Sequence, residues 1–385
     1  MTAARYFDYA ATTPLDPAAL EAMLPWLGPQ FANASALYES AQTAAAAIEE
    51  ARERVAAAVG AQAEEIVFTS GGTESIWMAI AGVAIDCTSG TLLTTRIEHE
   101  SALQACAVWR HLRTDLAPVD AEGIVRVEEV ARLIRADTRI VSVMHANNEV
   151  GSVQPVGEIA RICRRHRVPL HIDAVQTFGV LPIDVRRMEV DLLSVSSHKL
   201  YGPQGVGALY IRSGIAWRPA VTGGGQERGR RGGTTNVAGI VGFGSAVSSA
   251  MDRVELEARR TTALREALIE QIQLAVPDAI LTGPRADRLP GNVHFCIPGV
   301  DGAAMVLALD ARGIRASAGA ACSAGSTDPS HVLLAMGLSP ELARCGLRLT
   351  LGRGTTETAV REAAIAVASA VAELRPARSS LHAPL

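Results

Sequence analysis

The sequence predicts an α/β protein built around a doubly wound, mostly parallel sheet. Short apolar runs that are typical of buried strands alternate along the chain with longer amphipathic segments that are typical of helices, as in proteins whose parallel strands are joined by crossover helices. The stretch RIVSVMHANNEVG opens on an apolar run, as expected of a parallel strand that is covered on both faces. Polar residues follow the ends of several such runs, and parallel strands bring their carboxyl ends to one edge of a sheet, where ligands bind.

Length and composition indicate a folded protein of enzyme size. The chain has 385 residues, of which 48% are hydrophobic and 20% are charged, so it can bury a large core and is not a disordered chain. Its net charge of -4 argues against general binding of nucleic acid or of a membrane surface. We find no membrane-spanning run and no signal peptide in the sequence. The six cysteines form no CxxC pair and no metal-ligand spacing, so we expect reduced thiols, a cytoplasmic protein and no metal.

The first part of the chain contains two polar loops and a helix. The segment YFDYAATTP, residues 6–14, is too short to form an element of its own, and its small residues suit a segment that lies over a site. A second polar loop contains Asn33 and Ser35. Residues 41–59 have the pattern of an Ala-rich helix with a charged side, and we see no chemistry in that helix.

A glycine turn marks the first candidate ligand site. Residues 66–68 are predicted to form a strand, and Gly71, Gly72, Thr73 and Glu74 then open a helix. The free N–H groups and the positive dipole end of a helix suit a phosphate at this point. The same residues are also typical of an ordinary loop with a helix N-cap, and this segment alone leaves both interpretations open.

Further strand ends carry polar side chains. A strand at 92–95 is followed by His99, the apolar run described above stops at Asn148, and a strand after the helix at 156–167 ends at Asp173 with Gln176 three residues later. A carboxylate in the place of Asp173 can hold a proton on a heteroaromatic nitrogen, as a cofactor that acts as an electron sink requires. On local grounds, His99 is equally consistent with a surface histidine, and Asp173 with a helix cap.

Lys199 is the only lysine in the sequence, and it follows another predicted strand, at 192–196. Glycine-rich turn residues and a strand at 208–211 come next. A lysine at a strand end that is removed from water can lose its proton and form a Schiff base with an aldehyde cofactor. The alternative is that an Arg-biased composition left one lysine by chance. Together, however, Thr73, His99, Asn148, Asp173, Ser196, His198 and Lys199 all fall at strand ends on one predicted edge, which indicates one crevice.

The C-terminal third contains a second unit and one unusual cysteine. A helix-rich stretch at 251–276 is expected to bridge the two units, and NVHFCIPG and AAMVLALDARG predict a strand and a helix. Residues 317–326, SAGAACSAGS, hold only Ala, Gly, Ser and one Cys, so we expect a mobile loop with Cys322 in its middle. The other cysteines are expected to be small buried hydrophobic residues.

Eight segments in this order resemble the cysteine desulfurases of the class V aminotransferase superfamily, the branch that supplies sulfur for nitrogen fixation and housekeeping iron–sulfur assembly. They are YFDYAATTP, FTSGGTES, EHES, HANNEVG, HIDAVQTFG, SSHKLYGPQGVGALY, GGGQERGRRGGTTN and ASAGAACSAGSTDPSHVLLAMGL. The resemblance covers nearly the whole chain. It implies the pyridoxal-phosphate (PLP) fold-type I, with a mostly parallel seven-stranded sheet flanked by helices and a smaller α+β C-terminal domain. We place the large domain at 15–255, and the small domain at 1–14 plus 256–385.

The resemblance also implies a role for each matched residue. Lys199 would hold the cofactor and move the α-proton, His99 would stack on its ring, and Cys322 would take the sulfur. The implied cofactor contacts are Gly72, Thr73, Asn148, Asp173, Gln176, Ser196, His198 and Thr234. Thr234 would reach the phosphate of a neighbouring subunit, which implies a homodimer with shared sites. Arg348, helped by Asn33, would bind the substrate carboxylate, a task that suits the planar guanidinium group.

The implied reaction converts L-cysteine to L-alanine, leaving a persulfide on Cys322 that passes to a sulfur-acceptor protein. The acceptor stays open between an iron–sulfur scaffold, a tRNA-thiolation relay and the DNA-phosphorothioation system. Two features depart from the family pattern: residues 34–39 lack its basic and histidine residues, and the tail after Leu374 is short. The alternatives are a selenocysteine lyase, another class V aminotransferase, and a sulfur carrier that has lost the chemistry.

Overall fold

A mixed sheet of seven strands forms the centre of the protein. The computed structural model describes residues 5–319 and 328–375. The strands are β1 (Ile66–Thr69), β2 (Thr91–Thr95), β3 (Arg113–Ala117), β4 (Thr138–Met144), β5 (Leu170–Asp173), β6 (Leu192–Ser196) and β7 (Gly207–Ile211), in the spatial order β1-β7-β6-β5-β4-β2-β3. The run from β6 to β3 is parallel, whereas β7 is antiparallel to both of its neighbours. The predicted mostly parallel seven-stranded sheet is confirmed.

Helices cover both faces of this sheet. They are α1 (Pro17–Leu27), α2 (Glu39–Val59), α3 (Gly72–Ala84), α4 (Glu100–Ala107), α5 (Val127–Leu133), α6 (Val156–His166) and α7 (Val237–Met251). Successive strand residues enter different cores: Phe68 packs in the cluster that contains α2 and α7, and Val67 in the cluster that contains α3 and α4. This alternation follows from the two-residue repeat of a strand that is buried on both faces.

A second, smaller sheet has a core of its own. Its strands are β8 (Ile280–Leu281), β9 (Asn292–Cys296) and β10 (Gly346–Thr350), all antiparallel in the order β10-β9-β8. The helices of this region are α8 (Val254–Ala275), α9 (Gly302–Asp310), α10 (His331–Ala335), α11 (Pro340–Ala343) and α12 (Glu357–Leu374). Residues of α8, α9 and α12 pack with this sheet in a hydrophobic cluster that is separate from those of the large sheet.

The N-terminal segment joins the second sheet. Phe7 is fully buried in the core of the small sheet. Its N–H donates to the carbonyl of Arg315 at 2.8 Å, and its carbonyl accepts the N–H of Thr350 at 2.7 Å. These contacts agree with a small domain that includes the N-terminus, although the division at 15–255 itself stays a prediction.

The structure excludes one alternative and adds one strand. Residues 175–180 form consecutive turns, so Asp173 does not cap a helix, an interpretation that the sequence had left open. The edge strand β3 was not anticipated, because its half-exposed sequence RTDLA lacks the apolar run that marks the inner strands. Among the helices within residues 5–319 and 328–375, none is long and apolar enough to cross a membrane.

Candidate active site

The carboxyl edge of the large sheet opens into a cavity of about 690 Å³. The small sheet provides the facing wall through Arg348, and the N-terminal segment provides part of the rim through Ala10 and Ala11. The predicted site residues that line this cavity are Gly72, Thr73, His99, Asn148, Asp173, Gln176, Ser196, His198, Lys199 and Arg348. These predicted residues thus share one cavity at this edge of the sheet.

One corner of the cavity is lined by hydrogen-bond donors. Gly71, at φ 150°, has a backbone conformation that favours glycine, and it turns the chain from β1 into α3. A β-carbon on Gly72 would lie 2.8 Å from Cγ2 of Val175, so this glycine is required for the close approach of helix and turn. Ser196 Oγ is buried and has no hydrogen-bond partner among the described residues. The first N–H groups of α3 and this hydroxyl fit a phosphate group, which would satisfy both.

His198 borders the same corner. Its Nδ1 lies 3.1 Å from Oγ1 of Thr12, in the N-terminal segment. Burial, together with the charge of Lys199, lowers the pKa of His198 to about 4. A neutral imidazole at neutral pH can donate one hydrogen bond to a phosphate without adding a charge.

Asp173 lies at the end of β5, beside Met144 of β4, and it is nearly fully buried. Burial raises the pKa of this carboxyl group; the N–H of Val175, which donates to Oδ1 at 2.9 Å, and the charges of His99 and Lys199 oppose the rise. A ring nitrogen that carries a proton would favour the ionised carboxylate at this position. The position therefore fits a protonated heteroaromatic ring.

His99 forms the N-cap of α4. Its Nδ1 accepts the N–H of Ser101 at 3.1 Å and lies 2.7 Å from Oγ of Ser101. Because Nδ1 acts as an acceptor, the neutral ring carries its proton on Nε2. The N-cap geometry thus fixes both the orientation and the tautomer of a ring that lines the cavity.

Lys199 ends a short 3-10 turn that directly follows β6. Its Nζ donates to the carbonyl oxygens of Ala10 at 2.5 Å and of Ala11 at 2.8 Å. Gln176 Nε2 donates to the same Ala10 carbonyl at 3.0 Å. The N-terminal segment therefore lies over the site, as its sequence predicted, and it supplies the acceptors that hold the amine.

Arg348 of β10 reaches the cavity from the small sheet and is only 1% exposed. Its guanidinium group donates to the carbonyl of Asn148 at 2.9 Å and to Oδ1 of Asp8 at 2.7 Å, while its Nε has no partner among the described residues. A buried guanidinium with a free donor fits a ligand carboxylate. The sequence analysis did not identify Asp8 as a site residue. The only sign of it in the sequence is that it is the one acidic residue of the segment YFDYAATTP.

Two predicted residues do not line this cavity, and a third falls on a part of the chain that the structure does not describe. Asn33 is exposed, and its side chain accepts the N–H of Ser35 at 3.0 Å. Thr234 is also exposed, and neither residue lines the cavity. Cys322 lies outside the described residues.

Glu98 is a cavity residue that the sequence analysis missed. It precedes His99 and is fully buried. Its Oε1 accepts hydrogen bonds from Thr95 Oγ1 at 2.6 Å and from the N–H of Met144 at 3.0 Å, and its Oε2 has no partner among the described residues. Burial raises the pKa of this carboxyl group to about 8, and the charge of Asp173 adds to the rise. Glu98 is therefore a neutral acid at neutral pH.

The raised pKa of Glu98 makes stability depend on pH. The unfolded chain loses this proton near pH ~4.3, whereas the folded protein keeps it up to about pH 8. The free energy of unfolding should therefore fall as the pH rises through this window. Glu98→Gln has no carboxyl group to titrate, so its free energy of unfolding should not fall in this way. We expect the variant to gain stability relative to wild type as the pH rises, by about a few kcal/mol at about pH 8, and to show a correspondingly higher Tm.

Thermal unfolding of both proteins across this pH range measures the effect. The difference in Tm should be smallest near pH ~4, where the carboxyl group is protonated in both states. A difference in Tm between variant and wild type that stays constant from about pH 4 to about pH 8 would show that Glu98 does not titrate in this way.

Within residues 5–319 and 328–375, no group of three or more His, Cys, Asp or Glu side chains could hold a metal ion.

Comparison with known proteins agrees with this fold. The Aminotransferase class-V family matches residues 5–362 of the chain. The curated protein "Cysteine desulfurase IscS" of Dictyoglomus turgidum is 45% identical over 91% of this chain and 90% of its own length. The chain therefore belongs to the class V aminotransferase family and, within it, to the cysteine desulfurases.

Solved structures give the same result. A NifS-like protein superimposes with a TM-score of 0.90 at 35% identity, covering 97% of this chain and 100% of the other. A structure described as SspA in complex with cysteine has a TM-score of 0.81 at 36% identity, covering 91% of this chain and 100% of the other. The prediction of a cysteine desulfurase fold is confirmed.

Proposed function

We propose that this chain uses PLP to remove sulfur from L-cysteine, giving L-alanine and a persulfide on Cys322 that passes to an acceptor protein. The observation that carries the proposal is that the only lysine, Lys199, shares one cavity with Asp173, His99 and Arg348. The cysteine bound to the SspA structure supports the choice of substrate. We further propose that the protein works in the cytoplasm; the five described cysteines, all free thiols, are consistent with a reducing compartment.

The described residues fit the parts of PLP one by one. The start of α3, with Gly72 and Thr73, would hold the phosphate together with Ser196 and His198. Asp173 would pair with the ring nitrogen, His99 would stack on the ring, and Asn148 and Gln176 would lie on its oxygen side. When bound, PLP supplies an electron sink that stabilises negative charge at the substrate Cα.

Arg348 would orient the substrate. Its Nε has no partner among the described residues, and the α-carboxylate of cysteine would replace Asp8 on the other side of the guanidinium group. Fixing the carboxylate on one wall and the amine on the other directs the Cα–H bond towards the Lys199 amine. The Nζ of Lys199 would be the base that takes this proton.

Cys322 would take the sulfur. Its thiolate attacks the sulfur of the bound substrate, a new S–S bond forms, and the C–S bond breaks with its electron pair moving to carbon, which is then protonated to give alanine. A free thiol with a pKa near ~8.5 is mostly protonated at neutral pH, so a base must help. His99 carries its proton on Nε2 in the neutral form, so it would first give that proton to the product and only then accept one from the thiol.

The role of Lys199 is tested by Lys199→Ala. The variant should fold but lose both the visible absorbance of the lysine-bound cofactor and turnover of L-cysteine, because no other amine side chain exists in the sequence. Absorbance after addition of PLP, and alanine formation, measure the two effects. A variant that still turns over cysteine at the wild-type rate would contradict the assignment.

The role of Cys322 is tested separately by Cys322→Ser. This variant should keep the cofactor absorbance and lose the persulfide, because a hydroxyl group cannot accept the sulfur atom. Intact-protein mass spectrometry after incubation with L-cysteine should show one extra sulfur on wild type and none on the variant. Cys163→Ser is a suitable control, since Cys163 is a buried residue of α6 that packs in the core. Retained desulfurase activity in Cys322→Ser would overturn the proposal.

We also propose a homodimer in which Thr234 serves the phosphate site of the neighbouring subunit. Thr234 is exposed and lies outside its own cavity. Apolar side chains on α1 and the following loop are exposed as well: Leu20, Leu24, Leu27, Phe31 and Leu37. The three leucines recur at helical spacing on one side of α1, and an apolar stripe of this kind is typical of a covered surface.

Substitution on this stripe tests the homodimer. Leu24→Glu combined with Leu27→Glu should shift the mass measured by light scattering from two chains to one, because two charges would be buried in the interface. Leu274→Glu is the matched control, as Leu274 is 84% exposed at the end of α8. A wild-type protein that is monomeric at micromolar concentration would reject the dimer.

A further inference from the structure

Tyr201 has a strained backbone two residues after Lys199. Its φ of 68° lies in the left-handed region, which residues with a β-carbon rarely adopt. Two hydrogen bonds to the N-terminal segment hold it there: its N–H donates to Oγ1 of Thr13 at 2.7 Å, and its carbonyl accepts the N–H of Asp16 at 2.8 Å. Strain of this kind persists only where surrounding contacts enforce it.

The small-sheet region contacts Tyr201 from the other side. The N–H of Arg353 donates to the Tyr201 hydroxyl at 2.7 Å, and the Arg353 guanidinium lies 4.1 Å from the centre of the tyrosine ring. Arg353 Nη1 also donates to Oδ2 of Asp16 at 2.8 Å. The turn at residues 352–353 therefore clamps both the tyrosine and the segment that holds its backbone.

Gly352 brings this turn close to two tyrosine rings. A β-carbon on Gly352 would lie 2.3 Å from Cδ1 of Tyr9 and 2.5 Å from the hydroxyl oxygen of Tyr201. Neither contact is possible for a real side chain, so the turn needs glycine at this position. The same backbone surface thus supports Tyr9 and Tyr201 together.

Tyr9 is linked to the Lys199 amine through the next residue. It precedes Ala10, whose carbonyl accepts the hydrogen bond from Lys199 Nζ. The N–H of Ala10 donates to Oγ1 of Thr350 at 2.9 Å, so this carbonyl is held by the last residue of β10. Both ends of the lysine are consequently supported from one region: its backbone lies two residues before Tyr201, and its Nζ is bound by Ala10, the residue that follows Tyr9.

We propose that the 352–353 turn positions the Lys199 amine, with Tyr9, Tyr201 and Gly352 as positioning residues. The turn follows β10, the strand that carries Arg348, so one element sets both the arginine and the base. The inference rests on the proposed function, because it assumes that Lys199 holds the cofactor and moves the proton. It adds residues that do not line the cavity.

Gly352→Ala tests the inference, because the added methyl group must displace one or both rings. A shift of the amine by about 1 Å should lower kcat by about 100-fold, while KM for L-cysteine stays within about twofold because Arg348 is unchanged. The pH midpoint of the cofactor absorbance should also move by about half a unit or more, since the amine changes its surroundings. A loss of packing alone would lower Tm and leave this midpoint in place.

Gly157→Ala is the matched control. Gly157 is exposed in the first turn of α6, and a β-carbon there would meet nothing within 4 Å. This variant should show wild-type kcat, KM and pH midpoint. A Gly352→Ala protein with the same three values, and an intact fold by circular dichroism, would overturn the inference.

Tyr201→Phe provides a second measurement that removes one oxygen atom only. It leaves the Arg353 N–H without its acceptor, and we expect a smaller change in the same direction, about tenfold in kcat. If Gly352→Ala does not fold, unchanged kcat and midpoint in Tyr201→Phe reject the inference. Failure of the proposed function looks different, since wild type itself would then show no cofactor absorbance.

Discussion

The arrangement of the site depends on one constraint, which is that the inner strands of the large sheet bury both of their faces. Alternate residues of these strands enter two separate hydrophobic cores, so a polar side chain inside the sheet costs free energy unless it finds a hydrogen-bond partner. Ser142, His171 and Ser194 are an example: the two ring nitrogens of His171 lie 2.8 and 2.9 Å from the two hydroxyl groups. Reactive groups are therefore confined to the strand ends, and the parallel direction of the strands brings those ends together.

A second wall is needed to turn this edge into a cavity, and the small sheet with the N-terminal segment supplies it. Their charged groups are not independent of the large sheet. Arg348 is buried but is paired with Asp8 and with the carbonyl of Asn148, which offsets the free energy of removing a guanidinium group from water. Asp173 and Glu98 are also buried, and burial raises the pKa of both carboxyl groups. A cationic group bound next to Asp173 would keep that residue ionised and leave Glu98 as the uncharged partner.

The sequence was sufficient to predict the fold class and most of the cavity. Strand ends are visible as apolar runs followed by polar residues, and for this reason Thr73, His99, Asp173 and Lys199 could be placed at one edge before any coordinates were known. Contacts between distant segments leave no such local pattern. Asp8 reaches Arg348 across 340 positions, and Glu98 looks like a solvated acid beside His99 until its burial is seen. The positive φ of Tyr201 is likewise enforced from outside its own segment. Asn33 and Thr234 were placed by resemblance alone, and their roles stay predictions.

The single lysine has a consequence for chemistry carried out on this protein. Every other basic side chain that could be charged at neutral pH is Arg or His, and guanidinium groups do not react with amine-directed reagents under mild conditions. Apart from the α-amino group, an acylating or reductively alkylating label would have one target, and that target points into the cavity against the Ala10 carbonyl. Protection of this target by a bound ligand would then report occupancy directly, and the outer surface would escape lysine-specific modification altogether.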